Sequence, residues 1–255
     1  MISEGDPNVF IRTLYGCEAD EVTETVLLTP TNRIMEALKQ RSNTMKEFTS
    51  GFYKGFKAKF GSKEVSVFNP MVGSPLASDF TYFLRFTPCQ NIIYTGSIGA
   101  LQPQIKIGDI IVPTGAFRGE GASRYFIDES YPAVADFGLL RTLASTLEEV
   151  YANSGISIYY GPVYTTDSFA SETEEFLTHW RSKNLLGIEM ETSAIYTVAS
   201  LYGLHAAAAH VVSDNPVAEK SFFHTIPEED KNRRRVCEVL LVEALIRLIR
   251  GVKKT

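Results

Sequence analysis

Gly187-Ile188-Glu189-Met190-Glu191-Thr192-Ser193-Ala194-Ile195-Tyr196 carries an apolar strand end straight into a helical pattern, with two carboxylates flanking a methionine at the junction. A chain entering a helix leaves backbone N–H groups unpaired and favours negative charge there, so Glu191 taken alone reads as a first-turn stabiliser. Two further polar turns change that reading. Ser213-Asp214-Asn215-Pro216 closes a second apolar strand, and Gly96-Ser97-Ile98-Gly99-Ala100 closes a third. Polar strand ends of this kind in an open α/β sheet converge on one ligand-binding crevice.

Outward from that junction, short β-branched runs alternate with longer amphipathic segments. The pattern predicts strands over residues 25–28, 64–68, 91–95, 109–113, 156–164 and 205–212, with helices over 33–41, 76–86, 135–152, 173–182, 192–202 and 227–251. That alternation is α/β: one domain spanning 1–255, with a central mixed, twisted sheet flanked by helices. The Gly115–Ala122 stretch reads as a loop of active-site size.

Composition narrows the function. With 255 residues and 44% hydrophobic content the chain can bury a full core, and its net charge of -5 argues against broad phosphate-backbone binding, so no nucleic-acid partner is expected. The one basic run, Lys231 to Arg235, follows Glu228, Glu229 and Asp230 and reads as a solvated face. Cys17, Cys89 and Cys237 are scattered, and His179, His205, His210 and His224 form no spaced pair, so neither a metal nor a disulfide framework is implied. A reduced, cytoplasmic setting without membrane or export segment is the expectation. His224, in the aromatic loop Lys220–His224, is a candidate to close over a ligand.

The three polar turns suit cleavage of an N-glycosidic bond. A carboxylate such as Glu191 can accept the ribose hydroxyls and steady a cationic transition state. Asp214, if desolvated, can hold a proton for the leaving base. The amides and hydroxyl of Thr95-Gly96-Ser97 can cradle an oxyanion.

Three segments then carry a family resemblance: Gly96–Val112 (GSIGALQPQIKIGDIIV), Arg118–Phe137 (RGEGASRYFIDESYPAVADF) and Gly187–Ser200 (GIEMETSAIYTVAS). In this order they resemble the nucleoside phosphorylase/nucleosidase superfamily, which includes uridine phosphorylase, hexameric bacterial purine nucleoside phosphorylase and related purine nucleosidases. The resemblance runs from about Val26 to Pro216 and includes some likeness to AMP nucleosidases around Arg118-Gly119-Glu120-Gly121. It implies that Arg33 and Ser97 bind phosphate, and that Lys46 reaches the phosphate of a neighbouring subunit. It further implies that Met190 and Glu191 bind ribose, that Phe169 lies beside base and sugar, and that Asp214 protonates a purine leaving base. A dimer unit, assembled in some relatives into a hexamer, follows from the role of Lys46.

Two departures stand out. Tyr94 occupies the place of a second phosphate-binding arginine, and Thr29-Pro30-Thr31-Asn32 replaces the glycine-led turn that precedes Arg33. The Arg118–Phe137 segment looks most like uridine phosphorylases and Val212-Ser213-Asp214 like the purine-specific members, but the uracil-reading glutamine and arginine of uridine phosphorylases would fall near Thr173 and Glu175, so a purine is expected. The resulting expectation is a purine-preferring nucleoside phosphorylase of nucleoside catabolism and salvage, with inorganic phosphate as co-substrate and no cofactor. Two alternatives stay open: a hydrolytic purine nucleosidase, including one acting on AMP, and a non-catalytic nucleoside-binding module.

Overall fold

Asn91-Ile92-Ile93-Tyr94 is buried at all four positions, as a strand covered on both faces must be. In the computed structural model, which describes residues 6–49, 51–218, 220–221 and 225–251, this segment is β5, and it belongs to the first of two six-stranded sheets. That sheet runs β11 (His205–Ala208), β5, β1 (Thr25–Leu28), β4 (Lys63–Asn69), β3 (Lys54–Phe60), β2 (Asn43–Phe48). Its first four strands are parallel, and β3 and β2 add antiparallel at one edge. The second runs β12 (His210–Asp214), β6 (Ser97–Ala100), β10 (Gly187–Glu189), β9 (Ile158–Thr165), β7 (Ile110–Arg118), β8 (Ala133–Val134). Because β12 also pairs antiparallel with β7, five of these strands close into a ring.

The chain passes directly from one sheet to the other at two points, Thr95-Gly96 between β5 and β6 and Ala209 between β11 and β12, and returns in between through the helical segment that joins β10 to β11. The Ala209 amide donates to the Tyr94 carbonyl at 3.0 Å and the Val211 amide to the Gly96 carbonyl at 3.0 Å, so the two crossings stay paired. The polar turns therefore meet where two sheets join, not along the edge of one open sheet.

Among the described residues, seven α-helices cover the sheets: α1 (Pro7–Tyr15), α2 (Asn32–Gln40), α3 (Ser74–Leu84), α4 (Phe137–Tyr151), α5 (Glu174–Ser182), α6 (Thr192–Leu201) and α7 (Glu228–Gly251). Helix α7 lays Leu241, Leu245 and Leu248 into a core shared with Ile34 and Leu38 of α2 and Leu143 and Leu147 of α4. That packing brings the first turns of α7 beside the sheet crossings. A second core is aromatic: Tyr15, Tyr53, Phe68 and Phe80 pack ring on ring, with Tyr15 and Phe80 centroids 4.4 Å apart. Among the described residues, no helix is long and apolar enough to cross a membrane.

The expected mixed α/β architecture is present, with instructive local differences. The single strand expected over 205–212 is broken at Ala209, where the chain changes sheets. The first half of the loop expected over Gly115–Ala122 belongs to β7, which continues to Arg118 past a bulge between Pro113 and Gly115. Strands β2 and β3 went unread because their lysines interrupt any apolar run. Helix α1 also went unread; Asp6 caps it by accepting from the Asn8 amide at 2.9 Å.

Candidate active site

The sheet crossings border a cleft of about 550 Å³. Into it face Ser97 from the start of β6, Met190 and Glu191 from the β10–α6 junction, Asp214 from the end of β12, and Phe169 from the turn after β9. Five residues expected from sequence to share a site thus line one cavity. Gly99 forms part of the same wall, and a Cβ there would lie 3.5 Å from an Asp214 carboxylate oxygen.

The β10–α6 junction divides its work between its two glutamates. Glu191 sits at the N-cap position of α6, but its side chain does not cap the helix. Glu189 does so instead: its Oε2 accepts the amides of Glu191 (2.8 Å) and Thr192 (2.7 Å), while Oε1 accepts the Thr165 hydroxyl at 2.5 Å. Glu191 is released to face the cleft. Its Oε1 accepts the amide of Gly73 at 2.6 Å and its Oε2 accepts the Tyr94 hydroxyl at 2.8 Å. Gly73 holds φ of 110°, a backbone that other residues rarely adopt, and this aims its amide at the carboxylate. Burial, followed by the negative charge of Glu189, pushes Glu191 up to about 7, against the pull of these two donors. Burial likewise raises Glu189.

Tyr94 is buried, and burial together with Glu191 drives its phenol well above the ordinary range, so it remains a neutral donor. Beside it, His210 accepts the Gly96 amide through Nδ1 at 3.2 Å, which places the ring proton on Nε2, 2.9 Å from the Thr192 hydroxyl. Burial lowers His210 to about 3, so the ring is a neutral strut that fixes the glycine turn.

At the opposite end Asp214 is buried and accepts the Ser213 hydroxyl at 2.8 Å. A register shift between Val212 and Asp214 in the β12–β6 pairing turns the aspartate toward the cleft. Asn215 anchors the turn behind it by donating to the carbonyls of Gln102 (3.0 Å) and Ile105 (2.8 Å). Glu172, which sequence reading passed over, lines the cleft here as well as an adjoining cavity of about 460 Å³. Burial and then the charge of Asp214 raise Glu172 to about 7. The sequence signal was faint, since Glu172 lies beside two other acids, Glu174 and Glu175, and two hydroxyl residues, Ser171 and Thr173.

Arg33 and Lys46 do not line this cleft. Arg33 is 58% exposed and pairs with Glu238 of α7 at 2.8 Å, although Pro30 and Thr31 of the turn before it do border the cleft. Lys46, on the edge strand β2, pairs with Glu21 at 2.5 Å. Arg118, for which pairing with Glu120 and lining the crevice were both open, does neither. It donates to the carbonyls of Ile127, Asp128 and Tyr131 and to the Ser123 hydroxyl, pinning its own loop. His224 lies outside the described residues. Among those described, no group of His, Cys, Asp and Glu is arranged to hold a metal ion.

Comparison with known proteins fits this geometry. The phosphorylase superfamily profile matches residues 24–250. A guanosine phosphorylase of Halorubrum lacusprofundi is 32% identical over 166 residues, covering 65% of this chain and 67% of the relative. A DeoD-type purine nucleoside phosphorylase of Tolumonas auensis is 35% identical over 168 residues, covering 65% of this chain and 66% of the relative, about two thirds of its length. Among solved structures, uridine phosphorylase of Vibrio fischeri superposes with a TM-score of 0.77 at 27% identity, over 91% of this chain and 94% of that one. AMP nucleosidase of Bacteroides thetaiotaomicron shares the fold, with a TM-score of 0.73 at 23% identity over 97% of each chain. The chain belongs to the phosphorylase superfamily.

Proposed function

We propose that this member of the phosphorylase superfamily is a purine-preferring nucleoside phosphorylase, converting a purine nucleoside and inorganic phosphate into free base and ribose 1-phosphate. The observation that carries the reading is the placement of Ser97, Met190, Glu191, Phe169 and Asp214 on the walls of one cleft. Glu191, once ionised, accepts the ribose hydroxyls and balances the positive charge that develops on the sugar; Met190 packs against its carbon face. Phe169 stacks on the base. A phosphate oxygen held near Ser97 forms the new bond to C1′ as the bond to the base nitrogen breaks. The released electron pair stays on the base, which takes a proton from Asp214. Glu172, sharing that end of the cleft, keeps a second proton within reach near neutral pH.

Guanosine and purine nucleoside phosphorylases among the relatives support the purine preference. The site is completed in a homo-oligomer, a dimer unit that stacks into a hexamer, in which Lys46 on the exposed edge strand serves the neighbouring subunit's phosphate. The enzyme requires no cofactor and acts in cytoplasmic nucleoside catabolism and salvage.

One observation favours a second reading, hydrolysis of a nucleoside or of AMP. Tyr94 puts a neutral hydroxyl, committed to Glu191, where a phosphate-binding cation is otherwise expected. Base release from inosine, guanosine, adenosine, uridine and AMP, with and without added phosphate, separates the two. Phosphate-dependent release from purine nucleosides, with little from uridine, is the expected result. Phosphate-independent release of ribose, or of ribose 5-phosphate from AMP, would overturn phosphorolysis. Tight binding without any release would make the protein a nucleoside-binding module.

A further inference from the structure

The basic run Lys231–Arg235 does not behave as one solvated face. Lys231 pairs with Glu228, and Arg235 with Glu228 and Asn232, on the outside of α7. Arg233 turns inward to Asp109 (2.5 Å) and the Gly155 carbonyl (3.1 Å), closing off the start of β7. Arg234 alone reaches the cleft wall: its Nη2 donates to Ser97 Oγ at 3.2 Å. Its Nε donates to Glu238 Oε1 at 3.1 Å, and the same oxygen accepts Arg33 Nη2 at 2.8 Å.

Two guanidinium groups on one carboxylate oxygen leave a surplus positive charge. Glu238 is buried and fixes it in place. Tying α2 to α7 would need only one of these arginines. The surplus lies one hydrogen bond from Ser97, on the wall where Tyr94 supplies no charge. A planar guanidinium fork also matches the paired oxygens of a tetrahedral oxyanion better than an ammonium does.

We propose that Arg234, supplied by the C-terminal helix, is a ligand of the phosphate oxyanion held at Ser97, and that Glu238 is the positioning residue that holds Arg234 and Arg33 beside it. The proposal deepens the reading of the cleft as a phosphorolytic site and rests on it for the identity of the anion. The Arg234 guanidinium supplies at Ser97 a positive charge that Tyr94 cannot supply. The shared chemistry is a phosphate oxyanion, either inorganic phosphate or the phosphate of a nucleotide substrate.

The test uses full-length wild type, Arg234→Gln, Arg234→Lys and Glu238→Gln. Losing one charge-assisted contact corresponds to about 10- to 100-fold weaker anion binding. Arg234→Gln should therefore raise the KM for inorganic phosphate by that factor while the KM for inosine stays within about twofold. Arg234→Lys should recover only part of the loss, and Glu238→Gln should raise the same KM less. A readout independent of turnover is the rise in Tm on adding inorganic phosphate, which should be clear in wild type and reduced in Arg234→Gln. Unchanged phosphate KM and an unchanged phosphate-induced Tm rise would overturn the proposal. If wild type instead cleaves AMP without phosphate, phosphorolysis fails separately. Selective loss of AMP over adenosine cleavage in Arg234→Gln would then keep Arg234 as an oxyanion ligand, and equal loss on both substrates would refute it.

Discussion

The two ends of the polar cleft are built on opposite plans. At the sugar end Glu191 is 4% exposed and fixed by Gly73 and Tyr94, and the neighbouring carboxylate of Glu189 is locked into the helix start. At the proposed anion end Arg33 and Arg234 sit on helices, partly exposed, and both pair with Glu238. The contrast separates two kinds of preorganisation. Under the proposed roles, a neutral, hydroxyl-rich sugar would be met by buried acceptors whose donors are already placed, and a strongly hydrated oxyanion by charges kept near solvent, where holding them costs less.

The sharpest way to break the contrast is at the base. Asp214→Asn should lower kcat for purine nucleosides by about 10²- to 10⁴-fold with nucleoside affinity nearly intact, because only the transition-state proton is lost. Single-turnover kinetics with inosine would check this, and a parallel loss of affinity would remove the proton-donor role. Glu191→Gln should cost about 10²- to 10³-fold in kcat/KM, since its bonds to ribose act in both ground and transition states. Isothermal titration with inosine should show weakened binding too.

The sugar end also predicts a pH response. Glu191 ordinarily titrates near 4.5 and is raised to about 7 in the folded protein. A raised carboxyl binds its proton more tightly when folded, so its contribution to stability is full below about pH 4.5 and is lost as pH rises through 7. Sugar binding needs the ionised form and should move the opposite way, with kcat/KM falling about tenfold per unit below pH 7. A flat profile between pH 5.5 and 7 would deny Glu191 that role. Tyr94→Phe removes one donor to the carboxylate and should lower activity about tenfold at pH 7, with much of the loss recovered at pH 8.5. Equal loss at both pH values would mean that Tyr94 does more than tune Glu191. The smallest expected signal comes from mixing Lys46→Ala with Asp214→Asn subunits. Partial recovery after reassembly, measured as base release, is expected if the anion end is shared between subunits.

The shared placement of Met190, Glu191 and Asp214 on one cleft was legible in the sequence because these residues stand at strand ends, where local pattern and spatial position coincide. The helices α2, α6 and α7 begin and end within a residue of where periodicity puts them. The anion end was not legible to the same degree. Arg234 is 137 residues from Ser97, and nothing in an exposed-looking run of basic residues says which one turns inward. The division of labour between Glu189 and Glu191 was hidden for a different reason, since both carboxylates suit a helix start and only the strand-end geometry decides which one caps. The split of the sheet at Ala209 was likewise invisible, because a run of alanines reads as one continuous strand.

The most direct test of the account is the origin of the oxygen that ends on C1′. Inosine turned over in ¹⁸O-water with unlabelled phosphate should give ribose 1-phosphate without label at C1′, because the attacking oxygen comes from phosphate held at Ser97. Ribose formed in place of ribose 1-phosphate would show that water attacks instead, and would contradict the assignment of the anion end to a phosphate co-substrate.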